Sequence, residues 1–313
     1  MRRLLGSPYL LVIGLALLVV LLPLLLPSSF YLRVATLVFV NALAVVGLNL
    51  LMGFAGQVTL GHAGFFGIGA YAVALGPAHL GLPTWAAVIL GVAVSVALAF
   101  LVGRPILKLR GYYLAVATLG LGMLIGMVFT NELVWTGGPN GMAVPSLALF
   151  GWRFSGSRDW YWISGLLLVL GVWVALNLIS SPTGRAFRSI HDSEVAAQML
   201  GVDIARYKLL AFVLSAAYAA LAGSCLALFD GFVTPNTASF LLSVEFVVMA
   251  VLGGLGSLLG SVVGAAILVI LPQALTVFHE YEHIVLGLIM IVFMIFLPAG
   301  IVPALARLAR RGA

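Results

Sequence analysis

The charges of this sequence cut it into apolar lengths that no water-soluble fold can hide. Leu4–Leu32 runs 29 residues without Asp, Glu, Lys or Arg, and Val34–Gly103 runs 70. Gly111–Asn131, Trp160–Gly184, Leu209–Phe229, Phe246–His279 and His283–Ala306 add gaps of 21, 25, 21, 34 and 24. A helix rises about 1.5 Å per residue, so roughly 20 residues cross the ~30 Å hydrocarbon core of a bilayer. Each gap is therefore long enough for a crossing, and the longest must hold more than one. Charged residues make up 8% of the chain, against about 25% in soluble domains. That shortage excludes a soluble enzyme, a disordered chain and a disulfide scaffold. The single Cys225 leaves no redox signature.

Gly and Pro divide the gaps further. Ten apolar segments follow: Leu10–Leu26, Val34–Met52, Ala63–Leu75, Thr84–Val102, Tyr112–Thr130, Trp160–Ile179, Leu209–Leu228, Phe240–Leu255, Leu258–Val277 and Ile284–Ile301. Ala63–Leu75 and Phe240–Leu255 are short enough to be broken or re-entrant, so eight to ten full spans are expected. Gly76-Pro77 and Gly81-Leu82-Pro83 together read as one turn. The fold class is all-α, a polytopic integral membrane protein forming one transmembrane domain over residues 1–313.

Basic residues orient such a chain. Arg2 and Arg3, then Arg104, Lys108 and Arg110, then Arg185, Arg188, Arg206 and Lys208, and finally Arg307, Arg310 and Arg311 all fall on one face if ten segments cross. That face is expected to be cytoplasmic, with both termini on it. The net charge of +6 is spread over these clusters, which argues against a nucleic-acid patch. The apolar run after Arg3 is long for a signal peptide and lacks an Ala-x-Ala site, so it reads as a retained first helix.

Two loops are long enough to carry function. The outer loop, residues 131–159, contains Thr136-Gly137-Gly138-Pro139-Asn140-Gly141-Met142, either a series of turns or a structured lip. In the inner loop, residues 180–208, Ser181-Pro182-Thr183-Gly184 breaks the preceding helix. His191-Asp192-Ser193-Glu194 then opens a short amphipathic helix that Gly201 closes. Val195, Met199, Leu200 and Val202 form its apolar stripe, suited to a lipid surface or to a groove on a partner.

Polar residues inside apolar segments are the remaining candidates. Asn41 and Asn49 share a helix face and suit hydrogen bonds to neighbouring helices. Gln57 and His62 lie among glycines, where either a structural knot or a substrate path fits. Glu245, near a helix start that Ser239 would cap, is favoured by the helix dipole and is also placed to attract an ammonium group. Asn49, Gln57, His62 and Glu245 are thus candidate path residues. Gly256, Gly260 and Gly264, at a spacing of four, mark close helix packing. His279-Glu280-Tyr281-Glu282-His283 matches the His-Glu-x-x-His pattern of zinc proteases. It lies in a break between segments, and no third ligand is evident. An intramembrane metalloprotease is therefore a minor rival, as is a stand-alone channel or secondary carrier, and no metal site is assigned.

Four stretches carry a resemblance: Gly53–Tyr71, Thr136–Met142, Ser181–Phe212 and Leu252–Gly260. Across about Leu37–Val302 the chain resembles membrane permease subunits of bacterial branched-chain amino acid ABC importers, and among them the second of the two related permeases. The resemblance implies import of leucine, isoleucine and valine across the bacterial inner membrane, with urea or short-chain amides as the alternative cargo. It also implies a homologous second permease, two cytoplasmic ATPase subunits using ATP and Mg, and a periplasmic substrate-binding protein. No Gly-x4-Gly-Lys-Ser/Thr loop occurs in this chain, so it is not expected to be an enzyme or to bind a cofactor. Importer permeases carry a coupling motif that begins Glu-Ala-Ala and closes on Gly after three further residues. Ala196, Ala197 and Gly201 match it; Val195 stands where the Glu would be, and Glu194 comes one residue early. Asp192–Gly201 is therefore expected to be the ATPase-coupling helix.

Overall fold

A computed structural model describes residues 9–25, 28–149, 152–154, 156–275, 287, 291 and 300–304. The expected segment Ile284–Ile301 lies largely outside the described residues. His279–His283, both terminal arginine clusters and the first-helix boundary at Leu26 lie wholly outside them.

The apolar gaps become helices: α1 (Tyr9–Leu25), α2 (Ser29–Asn49), α3 (His62–Leu80), α4 (Thr84–Ile106) and α5 (Tyr112–Asn131). A one-turn helix, α6 (Leu133–Thr136), opens the 131–159 loop, which continues through the strands β1 (Met142–Ala143), β2 (Leu147–Leu149) and β3 (Trp152–Phe154). Next come α7 (Ser157–Ser180), α8 (Pro182–Asp192), α9 (Glu194–Met199) and α10 (Ile204–Asp230). A short strand, β4 (Phe232–Val233), then leads to α11 (Phe240–Gly253) and α12 (Leu258–Leu275). Among the described residues six helical stretches are long and apolar enough to cross a membrane: Ser29–Phe54, His62–Leu80, Thr84–Ile106, Tyr112–Asn131, Ser157–Ser180 and Ile204–Asp230. The chain is a helical, multi-pass membrane protein.

Of the two segments expected to be short, only one is. Ala63–Leu75 is not a short segment, because α3 continues for 19 residues through Pro77 and stops only where Gly81 adopts φ +61°. Proline removes one helical hydrogen bond. Contact with α4, where a Cβ on Gly76 would press on Ala87, holds the helix together across the gap. In contrast, α11 is short: its 14 residues reach about 21 Å, less than the hydrocarbon core.

The centre of the bundle is α2, α3 and α10. In α2 the run Ala42–Asn49 is buried throughout. α3 and α10 approach closely, because a Cβ on Gly69 would meet the Ala220 backbone and one on Gly223 the Phe66 backbone. Without a hydrophobic drive between helices in lipid, such small-residue contacts supply the packing. The Ser224 hydroxyl adds a bond to the Gly69 carbonyl at 2.9 Å. α4 and α5 are peripheral, with only 28% and 33% of their apolar windows buried.

Contacts at the two ends of the bundle define two faces. On one, β1 pairs antiparallel with β4, and β2 with β3; Arg33 and Asp230 approach to 3.7 Å. Residues 136–142 form an ordered series of turns, with Gly137, Gly138 and Gly141 at positive φ and the Thr136 hydroxyl donating to the Phe129 carbonyl at 2.8 Å. The opposite face carries the α4–α5 turn, α8, α9 and the start of α10, and with them Arg104, Lys108, Arg110, Arg185, Arg188, Arg206 and Lys208.

Candidate functional site

On the basic face the chain leaves α7 at Ser180, turns at Ser181 and restarts with Pro182 at the first position of α8. Proline suits that position, since its missing N–H would be unpaired there in any case. α8 buries Gly184, Ala186, Phe187 and Ile190. Ser193 then caps α9, its hydroxyl accepting from the Ala196 N–H at 3.3 Å. The expected helix over Asp192–Gly201 is therefore two elements. Asp192 ends α8, and α9 starts only at Glu194, after the Ser193 cap. Gly201 closes the turn at φ +79°, donating to the Gln198 carbonyl at 3.0 Å while the Val202 N–H reaches the Ala197 carbonyl at 3.0 Å.

The apolar stripe of α9 does not pack on this chain. Val195, Met199 and Leu200 are 65%, 85% and 80% exposed, while Ala197 is buried at 1%. Ala197 thus anchors the segment and Ala196 and Gln198 stay exposed. Glu194 is held from inside the chain: Lys208 Nζ donates to Oε1 at 2.5 Å, and Arg110 Nε lies 3.5 Å from Oε2. Lys208 is itself buried, so this ion pair is far less screened than a surface one. Neither partner is near Glu194 in sequence.

Beneath this segment lies the glycine-rich stretch. After α2 a π-helical turn spans Leu50–Phe54, and irregular backbone follows to Gly61. Gly56, at φ +68°, faces His191 of α8; a Cβ there would come within 3.2 Å of its Cα. Gln57 is 3% exposed. Its amide donates to the Lys208 carbonyl at a long 3.4 Å, and its own carbonyl oxygen Oε1 has no partner. Irregular backbone survives at membrane depth only inside protein or beside water; here Ala55, Gln57, Thr59 and Gly61 are buried in protein, while Gly56 and Val58 are exposed.

The other candidates separate from this group. Asn49, fully buried, donates to Ser261 Oγ at 2.8 Å and to the Ser257 carbonyl at 2.9 Å, and it accepts from the Gly256 N–H at 2.8 Å. It ties α2 to the α11–α12 turn. Asn41 instead bonds within its own helix, to Leu37. His62 Nε2 lies 3.1 Å from the Ala44 carbonyl and must donate, because a carbonyl only accepts; Nδ1 is then free to accept from the Ser215 hydroxyl at 3.3 Å. Glu245 is exposed, five residues into α11, whose Ser239 cap accepts from Leu242. Gly260 and Gly264 sit where α12 meets α11, since a Cβ on either would meet the Gly253 or Met249 carbonyl. Gly256 is not on that helix face but in the preceding turn, at φ +75°. Among the described residues no cluster of metal-ligating side chains occurs.

These features sit on a chain with close sequence relatives. A family profile described as the permease component of the branched-chain amino acid transport system matches residues 30–294. The high-affinity branched-chain amino acid transport permease LivM of Salmonella typhimurium is 36% identical, covering 86% of this chain and 69% of that one. LivH of Escherichia coli is 27% identical over 83% of this chain and 90% of its own length. The autoinducer 2 import permease LsrC of Klebsiella pneumoniae is 35% identical over 52% of this chain and 48% of that one. No solved structure matches. With a profile match across most of its length and a relative of this identity, the chain belongs to the family of branched-chain amino acid transport system permeases.

Proposed function

We propose that this chain is one of two related permeases in an importer that carries leucine, isoleucine and valine into a bacterial cell across its inner membrane. Two ATPase subunits drive the cycle from the basic face, and a periplasmic binding protein delivers cargo to the lip formed by residues 131–159. The finer topology is ten crossings with both termini and the basic face cytoplasmic. The seven cations gathered on that face, against Arg33, Arg153 and Arg158 on the other, support this orientation.

One observation carries the reading: α9 presents Val195, Met199 and Leu200 to solvent on a base fixed by Ala197 and Glu194. Three exposed apolar side chains on a short, braced helix suit insertion into a partner's groove. Movement of α9 passes through Glu194 to Lys208 and Arg110, and the Lys208 backbone touches Gln57 in the broken stretch. Such a chain of contacts would carry a cytoplasmic push into the bundle.

The test uses the buried state of Cys225. Met199→Cys adds a single accessible thiol, and a thiol-reactive photocross-linker placed there is expected to capture an ATP-hydrolysing subunit from intact cells. Capture of no cytosolic protein, or labelling of that thiol by an impermeant reagent from outside, would overturn the assignment. Cargo is read separately, from ATPase activity of the reconstituted complex. Leucine, isoleucine and valine are expected to stimulate it; stimulation by urea alone would replace them.

A further inference from the structure

α4 ends at a cavity that opens on the basic face beside α9. Along its length Ile89, Val94, Phe100 and Leu101 are exposed, which on a membrane helix means contact with lipid. At its last turn the surface opens into a cavity of about 980 Å³ between α4, the α4–α5 turn, α9 and the start of α10. The wall holds five cations, Arg104, Lys108, Arg110, Arg206 and Lys208, against two carboxylates, Glu194 and Asp203.

The carboxylates are already committed. Glu194 holds Lys208 and Arg110, and Asp203 caps α10 by accepting the Arg206 backbone N–H at 3.1 Å. Among the described residues this leaves the side chains of Arg104, Lys108 and Arg206 without a carboxylate in ion-pair range. Arg104 lies with its guanidinium carbon 4.4 Å from the Phe100 ring centroid, poised where the apolar wall of α4 becomes polar.

We infer that this cavity binds the phosphodiester headgroup of an anionic phospholipid, with the acyl chains lying along α4. Guanidinium and ammonium groups supply directed donors to phosphate oxygens, and basic pockets between transmembrane helices suit acidic headgroups. The same anion chemistry would take a free phosphate ester. The continuous exposed stripe from Ile89 to Leu101 selects the lipid, because only a lipid fills both the charged hollow and the apolar wall.

The experiment is native mass spectrometry of the purified full-length chain in neutral detergent. It is offered phosphatidylglycerol or phosphatidylcholine with the same acyl chains. Phosphatidylglycerol adducts are expected to exceed phosphatidylcholine adducts at least fivefold. The double variant Arg104→Gln/Arg206→Gln is expected to erase that preference, Arg104→Lys/Arg206→Lys to keep most of it, and Arg185→Gln, on an exposed cation of α8, to leave it unchanged. Both substituted side chains are exposed, so the variants keep their packing, and an unchanged thermal melt verifies this. Glycerol phosphate, which lacks the chains, is expected to need at least a tenfold excess to compete. Equal adducts of both lipids, or an undiminished preference in the glutamine variant, would overturn the proposal. Competition by glycerol phosphate at parity would reassign the cavity to a free phosphate ester. Loss of the adduct on adding the ATPase subunits would reassign it to a protein interface.

Discussion

Asn49 and Gln57 are eight residues apart, both buried amides beside a break in a helix, yet their surroundings are opposite. Asn49 uses both its amide hydrogens and its carbonyl on Gly256 and Ser257 of the α11–α12 turn and on Ser261 of α12. Gln57 makes one long bond and leaves its carbonyl oxygen unpaired. The first arrangement locks two parts of the bundle in one geometry. The second leaves a buried polar atom without a partner. Buried polar groups are nearly always satisfied; among the described residues Gln57 Oε1, Tyr71 Oη and Ser95 Oγ have no partner, and of these Gln57 lies beside α8 and α10.

The largest expected effect breaks the locked side. Asn49→Leu removes the acceptor of the part-buried Gly256 N–H and the donor to the buried Ser261 hydroxyl, and an orphaned buried group costs about 1–3 kcal/mol. A loss of about 3 kcal/mol is expected from unfolding by sodium dodecyl sulfate in mixed micelles. A loss below about 1 kcal/mol would mean that the knot is ornamental and the contrast false. Ser261→Ala is expected to cost less, about 1 kcal/mol, because Asn49 keeps its bonds to the Ser257 carbonyl and the Gly256 N–H. If the two variants were equally damaging, the strength of the knot would reside in Ser261 alone.

Gly201 gives a smaller effect on stability and a sharper one on function. Space around it is open, but its φ of +79° disfavours a side chain by about 1–2 kcal/mol. Gly201→Val is therefore expected to destabilise the α9 turn by about that amount and to uncouple ATP hydrolysis from uptake in the reconstituted complex. Unchanged uptake per ATP would detach α9 from the power stroke.

Much of this was legible before the fold. Charge-free gaps hold eight of the nine apolar segments that fall largely among the described residues, the exception being Phe240–Leu255 with its Glu245. Pro77 misled, since proline's local cost was outweighed by contact between α3 and α4, which no local pattern reveals. Gly256 misled for a related reason: a spacing of four looks the same on a helix face and in a turn that precedes it. Asp192 and Ser193 are both good caps, and only the backbone shows that Ser193 is used. The brace on Glu194 was invisible, because Lys208 lies 14 residues on and Arg110 on another helix connection. The sequence also left His62 open between knot and path; its two ring nitrogens are both engaged.

Gln57→Leu has the smallest expected effect on stability and tests the other half of the contrast. The substitution removes an unpaired carbonyl and keeps roughly the same volume. The Lys208 carbonyl that Gln57 touches lies in the first turns of α10, so it keeps its helical bond when the amide is gone. Stability is expected to change by less than about 1 kcal/mol, in either direction, because no buried group is newly orphaned. Uptake is where the change should appear, since an apolar side chain cannot take up the second partner that a moving inner face would offer. A Gln57→Leu variant as unstable as Asn49→Leu would make both amides structural. One with native stability and native uptake would show that the unpaired oxygen serves no step of transport.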